Sequence, residues 1–301
     1  MLRRFILLLL AGLAVSAPAQ TQSNPPPPDT RPLFARISGL FGGDLPQLDR
    51  PDAIKLILRP HFGDLIHRDY MRVDTGLRWA LNDQFELNTE ASVFFKHGLK
   101  SGSAGNGIGD LRFGAKYIFV KWPEPDFETS VALNIDHPTG RPPIDLTDGY
   151  NHVSPTIVVQ YLPPRYPRLT TFAGMGLDLI TKSRVAGTFG FNEPHDDSIS
   201  ATAGGVYDAG QLKWTIAGTY ATTALLDRRT DNFFYLQPGL LWYVPSRFTL
   251  HSKTQWIVGF GARATFGPDG THLSLSSRLR AEITFRQVMD QMGLHKSPES
   301  K

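Results

Sequence analysis

Apolar and polar residues alternate with a period of two over most of this chain. Between residues 110 and 119, Leu111, Phe113, Ala115, Tyr117 and Phe119 interleave with Asp110, Arg112, Gly114 and Lys116. Successive side chains of a strand point to opposite faces, so these two sets lie on opposite sides of a sheet. The same separation recurs at Met71, Val73, Leu77 and Trp79 against Arg72, Asp74, Gly76 and Arg78, and at Phe85, Leu87, Ala91, Val93 and Phe95 against Glu86, Asn88, Glu90 and Lys96. At the far end, Leu273, Leu275, Ser277, Leu279, Ala281, Ile283 and Phe285 alternate with Ser274, Ser276, Arg278, Arg280, Glu282 and Thr284. A helical period would mix each pair of sets. Runs of this kind predict twelve strands, near 53–61, 70–80, 84–96, 107–121, 127–136, 150–161, 169–180, 198–208, 211–222, 233–243, 247–263 and 272–285.

The connections decide what kind of sheet this is. Leu81–Asp83, Trp122–Asp126, Leu162–Arg168, Ala209–Gly210 and Val244–Ser246 are short, and those between them are mostly longer and polar. An even number of strands of about 10 residues, apolar on one face and polar on the other, with short turns alternating with long loops, predicts an all-β transmembrane antiparallel barrel over 53–285. A soluble sandwich would also alternate, but it hides its apolar face and rarely sets so many charges opposite it. Trp79, Phe85, Trp122, Phe127, Tyr161, Trp214, Trp242, Phe248 and Phe285 fall where the strands meet the short turns, as an aromatic belt at one membrane interface requires.

The ends differ from the body. Arg3 and Arg4 precede an apolar run from Phe5 to Val15, and Ala17-Pro18-Ala19 gives a small-x-small cleavage pattern, so residues 1–19 are expected to be a secretory signal peptide. The apolar run falls short of the about 20 residues of a spanning helix. Residues 20–52 form a proline-rich lead-in, with one short helix expected over 32–41, and 286–301 form a polar tail expected on the periplasmic side. With the lead-in periplasmic, the short turns face the periplasm. The longest external loops are then His137–Gly149 and Thr181–Asp197. The expected location is the bacterial outer membrane, with membrane lipid, a small solute and the barrel-insertion machinery as partners.

Composition narrows the chemistry. The 301 residues include no cysteine, which excludes disulfides, thiolate metal sites and a thiol nucleophile. The net charge of +3, from 31 basic and 28 acidic residues without a block of like charge, gives no footprint for nucleic acid.

The run GIGDLRFGAKYIF, Gly107 to Phe119, resembles a segment of the outer-membrane proteins of the meta-pathway of phenol degradation. The resemblance implies a transporter-like barrel passing small, often aromatic or hydrophobic, compounds. One departure is that outer-membrane barrels commonly end on an aromatic residue, whereas sixteen residues follow Phe285 here.

With the polar face turned inward, the lumen acquires two walls. Lys55, Arg59, Arg72, Arg78, Lys253, Arg263, Arg278 and Arg280 come from strands one, two, eleven and twelve, which closure makes neighbours. Glu86, Glu90, Asp110, Glu128, Asp136 and Asp178 come from strands three to seven. A basic wall facing an acidic one would orient dipolar solutes passing by diffusion. Alternatively the charges pair across strands, Arg112 or Lys116 with Glu86 or Glu90, and close part of the bore, which would favour a structural or ligand-binding barrel working through its external loops, with Phe189 and Phe191 as loop contacts.

A lipid hydrolase is the third reading. His97, Ser101, Ser103 and Asn106 share a glycine-rich loop, and His152 and Ser154 share an inward face, but no nucleophile motif accompanies them. The chain is therefore expected not to be an enzyme. His195, Asp196 and Asp197 in an external loop fit solvation better than metal binding. No cofactor, metal or catalytic residue is expected.

Overall fold

The computed structural model describes residues 54–60, 70–97, 106–139, 142–143, 146–187, 194, 196–226, 231–249 and 255–282. The signal peptide, the lead-in with its short helix, Phe285 and the tail lie outside the described residues. Twelve antiparallel strands form one closed barrel: β1 (Ile54–Pro60), β2 (Tyr70–Ala80), β3 (Phe85–Lys96), β4 (Gly107–Val120), β5 (Phe127–Pro138), β6 (Tyr150–Tyr161), β7 (Leu169–Lys182), β8 (Ser198–Asp208), β9 (Leu212–Thr222), β10 (Asn232–Tyr243), β11 (Gln255–Gly267) and β12 (Gly270–Glu282). Each strand pairs with its neighbours in sequence. β1 meets β12 through Leu56–Leu58 and Leu279–Ala281, which closes the ring.

Alternation sorts the two faces. On β4 and β5, Phe113, Phe119, Leu133 and Ile135 are exposed on the outside, while Lys116 and Ile118 between them are 1% exposed. An outer face left this apolar is stable only against hydrocarbon. Exposed Trp79, Trp122, Trp214 and Phe248 stand near the short-turn end. Ring contacts of 5.8 Å for Phe119–Trp122, 4.9 Å for Phe127–Tyr161 and 6.1 Å for Trp242–Phe248 join part of that belt.

Three local features depart from the pattern expected of the sequence. β11 begins at Gln255, not near residue 247, because Pro245 opens a turn in which Phe248 N–H donates to Pro245 O and Thr249 N–H to Ser246 O. Those backbone groups are bonded within the connection instead of in a ladder, so the turn expected at Val244–Ser246 is longer. β12 begins at Gly270, since Pro268-Asp269 makes a two-residue turn with Gly270 at φ 98°. The left-handed residue follows the turn instead of lying within it, as when a type I turn leads into a bulge, and glycine takes that conformation without strain. The loop expected there is consequently absent. The third feature is a bulge between Ala91 and Val93 of β3, opposite Gly109-Asp110 of β4. It switches the parity of β4, turning Ile108 outward while Asp110 stays inward.

The bulge lies inside the Gly107–Phe119 run, and its glycines have physical reasons. A Cβ on Gly107 would stand 2.5 Å from Phe94 Cζ, so the ring lies across the bare backbone. Gly114 sits in one row with Asn88 of β3 and Asn134 of β5, and a Cβ there would lie 2.4 Å from Asn134 Oδ1 and 2.5 Å from the Asn88 amide. Both contacts are side-chain ends that can turn aside. Gly114→Val should therefore cost about 1 kcal/mol, at the low end of overpacking. A urea titration of the refolded barrel in detergent checks this.

Candidate functional site in the lumen

The inner face of β6 to β11 is not uniformly polar. Val158, Phe172, Val206, Ala217, Leu241 and Ile257 point inward, are 0–7% exposed and form one contiguous cluster, with Tyr243 packed against it. Gly204 makes this possible, because the Phe172 ring lies where its Cβ would be, 2.5 Å from Cζ. These residues sit toward the short-turn end. Ionic groups are buried at the same end of the barrel: Lys213 is fully buried and paired with Asp208, and on β3 and β4 Lys116 Nζ lies 3.3 Å from Glu86 Oε1 with both side chains almost fully buried. Each pair joins residues directly opposite in a ladder.

The long-loop end has different chemistry. Arg112 makes a two-pronged contact with Asp136, its Nε 2.7 Å from Oδ1. Asp178 accepts from Ser154 Oγ at 2.8 Å and lies 2.9 Å from His152 Nδ1, whose Nε2 is 2.6 Å from Asp148 Oδ2. Burial pushes the Asp148 carboxyl up. The hydrogen bonds from His152 and from the Tyr150 N–H outweigh that and hold it below the ordinary carboxylate range.

The residues expected to line the lumen are distributed as follows. Arg72 and Arg78 stand on the inner face of β2, Arg78 being buried, and the Arg263 guanidinium lies 4.3 Å over the Tyr235 ring. Lys55 and Arg59 are opposite Arg78 and Asp74 in the β1–β2 ladder, and Arg278 and Arg280 are opposite Gly259 and Ile257 in the β11–β12 ladder. Lys253 lies outside the described residues. Glu86 takes Lys116, Glu128 accepts from the Gln160 amide, Asp136 takes Arg112, Asp178 takes His152 and Ser154, and Asp110 is half-buried on the inner face of β4. Glu90 is opposite Arg112 in the β3–β4 ladder. Of the pairings expected across strands, Lys116 with Glu86 forms, and Arg112 also reaches across to Asp136 of β5.

The other candidates are placed as follows. Ser154 donates to Asp178 and both nitrogens of His152 face carboxylates, so the hydroxyl and imidazole do not pair as a nucleophile and base would. His97 is buried, Asn106 accepts from Lys96 N–H at 2.9 Å, and Ser101 and Ser103 lie outside the described residues. Asp197 accepts from Ile180 N–H at 2.7 Å, tying down the base of its loop. Phe189, Phe191 and His195 lie outside the described residues.

A feature missed in the sequence is a bar across the mouth. The β5–β6 connection turns inward, and Leu146 packs with Tyr70 of β2 and Phe94 of β3, all three at most 7% exposed. It spans β4 on the way, where Thr139 Oγ1 donates to Gly109 O at 2.5 Å. The signal was present: Tyr70 and Phe94 are aromatic at inward, polar-face positions.

Closure, an aromatic belt at the short-turn end, an apolar outer wall and an inward-folded loop define an outer-membrane-type β-barrel. The chain belongs to the family described as "Putative MetA-pathway of phenol degradation", whose profile matches residues 64–275. Its fold is similar to that of an outer-membrane channel from Pseudomonas putida F1, at 14% identity and a TM-score of 0.52 over 81% of this chain and 98% of that one. Two further similar structures are the CymD monoaromatic hydrocarbon channel (9% identity, TM-score 0.40, 72% and 73% covered) and the outer-membrane channel DcaP of Acinetobacter baumannii (10%, 0.31, 77% and 94%). No curated relative matches the chain significantly.

Proposed function

We propose that the protein is a non-enzymatic outer-membrane channel for small solutes, its long loops outside the cell and its short turns in the periplasm. The observation that carries this reading is a closed barrel with an apolar outer wall and a mixed inner face: ion-paired polar groups at the long-loop end, and at the other the Val158–Phe172–Val206–Leu241–Ile257 cluster beside the buried Lys213–Asp208 and Lys116–Glu86 pairs. A solute with an apolar, aromatic body and one polar group meets charged and amide groups at the entrance, and the apolar cluster deeper in, at most 7% exposed here, takes up its body where those side chains part. The family's link to phenol degradation supports the same class. Charged residues drawn from both sides of the ring give a dipolar solute a preferred orientation.

The bar at the mouth and the buried ion pairs favour one alternative, a closed barrel that binds partners through its external loops. Single-channel recording of the refolded protein in a planar bilayer separates the two. Discrete conductance steps, blocked by small aromatic acids more strongly than by sugars, are expected of the channel. A folded but silent barrel would replace that reading with the closed one.

A further inference from the structure

The bar is itself held by a second loop. The start of the β7–β8 connection, Ser183 to Gly187, runs against Thr147–Gly149 of the β5–β6 connection, and Ser183 N–H donates to Gly149 O at 3.1 Å. The two backbones cross at van der Waals distance. A Cβ on Gly187 would lie 2.2 Å from the Asp148 carbonyl carbon and 2.3 Å from Gly149 N, and a Cβ on Gly149, at φ 79°, would lie 2.5 Å from Val185 O. All of these are backbone atoms, so no rotamer change relieves the overlap. Each loop also has its own anchor in the wall: Asp148 through His152 to Asp178 on one side, and Ile180 N–H to Asp197 on the other. At its Leu146 end the bar meets the wall through the apolar contact with Tyr70 and Phe94, and Thr139 holds it to β4 further back.

We propose that the Gly149–Gly187 crossing is a latch that holds the β5–β6 connection across the mouth, and that opening requires the two loops to separate and Leu146 to leave Tyr70 and Phe94. This rests on the channel reading. A polar hinge beside Asp148, an apolar tip at Leu146 and a glycine crossing next to the hinge are the parts of a bistable strap, which a modest free-energy difference moves between two positions.

The experiment is single-channel recording of Gly187→Val beside the unaltered protein, with folding verified by heat-modifiable migration. Because the native chain has no cysteine, a Phe94→Cys, Leu146→Cys pair joined by a short thiol-specific linker gives a second, independent arm. The wedge at 187 should raise mean conductance severalfold, and the linked pair should lose conductance that a linker-free control retains. If a folded Gly187→Val barrel conducts like the unaltered one, the latch is overturned while the channel stands. Silence of both overturns the latch and the channel together. Should Gly187→Val fail to fold, equal conductance with and without the linker overturns the latch by itself.

Discussion

Replacing Lys213 with alanine should lower the stability of the folded barrel by about 3–5 kcal/mol, the range found when one partner of a buried ion pair is removed. Lys213 has no exposed surface, pairs with Asp208 across the β8–β9 ladder and lies 5.4 Å over the Tyr243 ring. Its removal leaves the buried Asp208 carboxylate with the Gly210 N–H, at 2.8 Å, as a remaining neutral donor. A neutral hydrogen bond does not replace a full charge for a largely buried carboxylate. Replacing both residues, Lys213→Met with Asp208→Asn, should cost less than the sum of the single changes, because neither charge is then stranded. Urea unfolding of the four proteins in detergent gives the cycle. Additive costs would mean that the pair is not coupled.

Arginine at Leu236 should cost about 2–4 kcal/mol, the price of a charge on the lipid face near the bilayer midplane. The same residue at Gln237, its immediate neighbour, should cost much less. Leu236 is exposed on the outside of β10, whereas Gln237 faces inward and is half-buried. One step along a strand exchanges hydrocarbon for lumen, so the contrast tests the face assignment without changing depth. Equal losses in an unfolding titration would show that these two faces do not see lipid and lumen.

How much of this was legible in the sequence depended on which force placed each residue. Strand number, order and the outer face followed from alternation, because every strand has to satisfy the same lipid on one side. Alternation was less informative inside. Leu240, Leu241 and Trp242 are apolar on both faces, and the inner cluster around Phe172 and Leu241 is specified by neighbouring strands, down to the glycine under the Phe172 ring. Ion pairs were legible where residues stood opposite in a ladder, as for Lys116 and Glu86. Arg112 has an acid on each flank, Glu90 and Asp136, and spacing alone does not choose between them. The loops were least legible. Leu146 is an ordinary apolar residue in a polar stretch until the fold carries it over β4 to Tyr70, and Gly187 looks like loop flexibility until another backbone is seen to pass beneath it.

The seam between β1 and β12 bears on how such a barrel comes to exist. Every other ladder joins strands adjacent in sequence, so each can form as a local hairpin soon after its residues are in place. The seam joins the two ends of the sheet and meets through Leu56–Leu58 and Leu279–Ala281, whereas β11 and β12 pair from Gln255 to Gly270. Loop-closure entropy rises by only about 0.6 kcal/mol per doubling of chain length, so the long separation is not prohibitive. It is the order of events that is constrained. Eleven hairpin contacts can assemble into a curled, open sheet, and the last and most distant contact, which removes both free edges, is the shortest among the described residues, making completion of the ring the step at which assembly is decided.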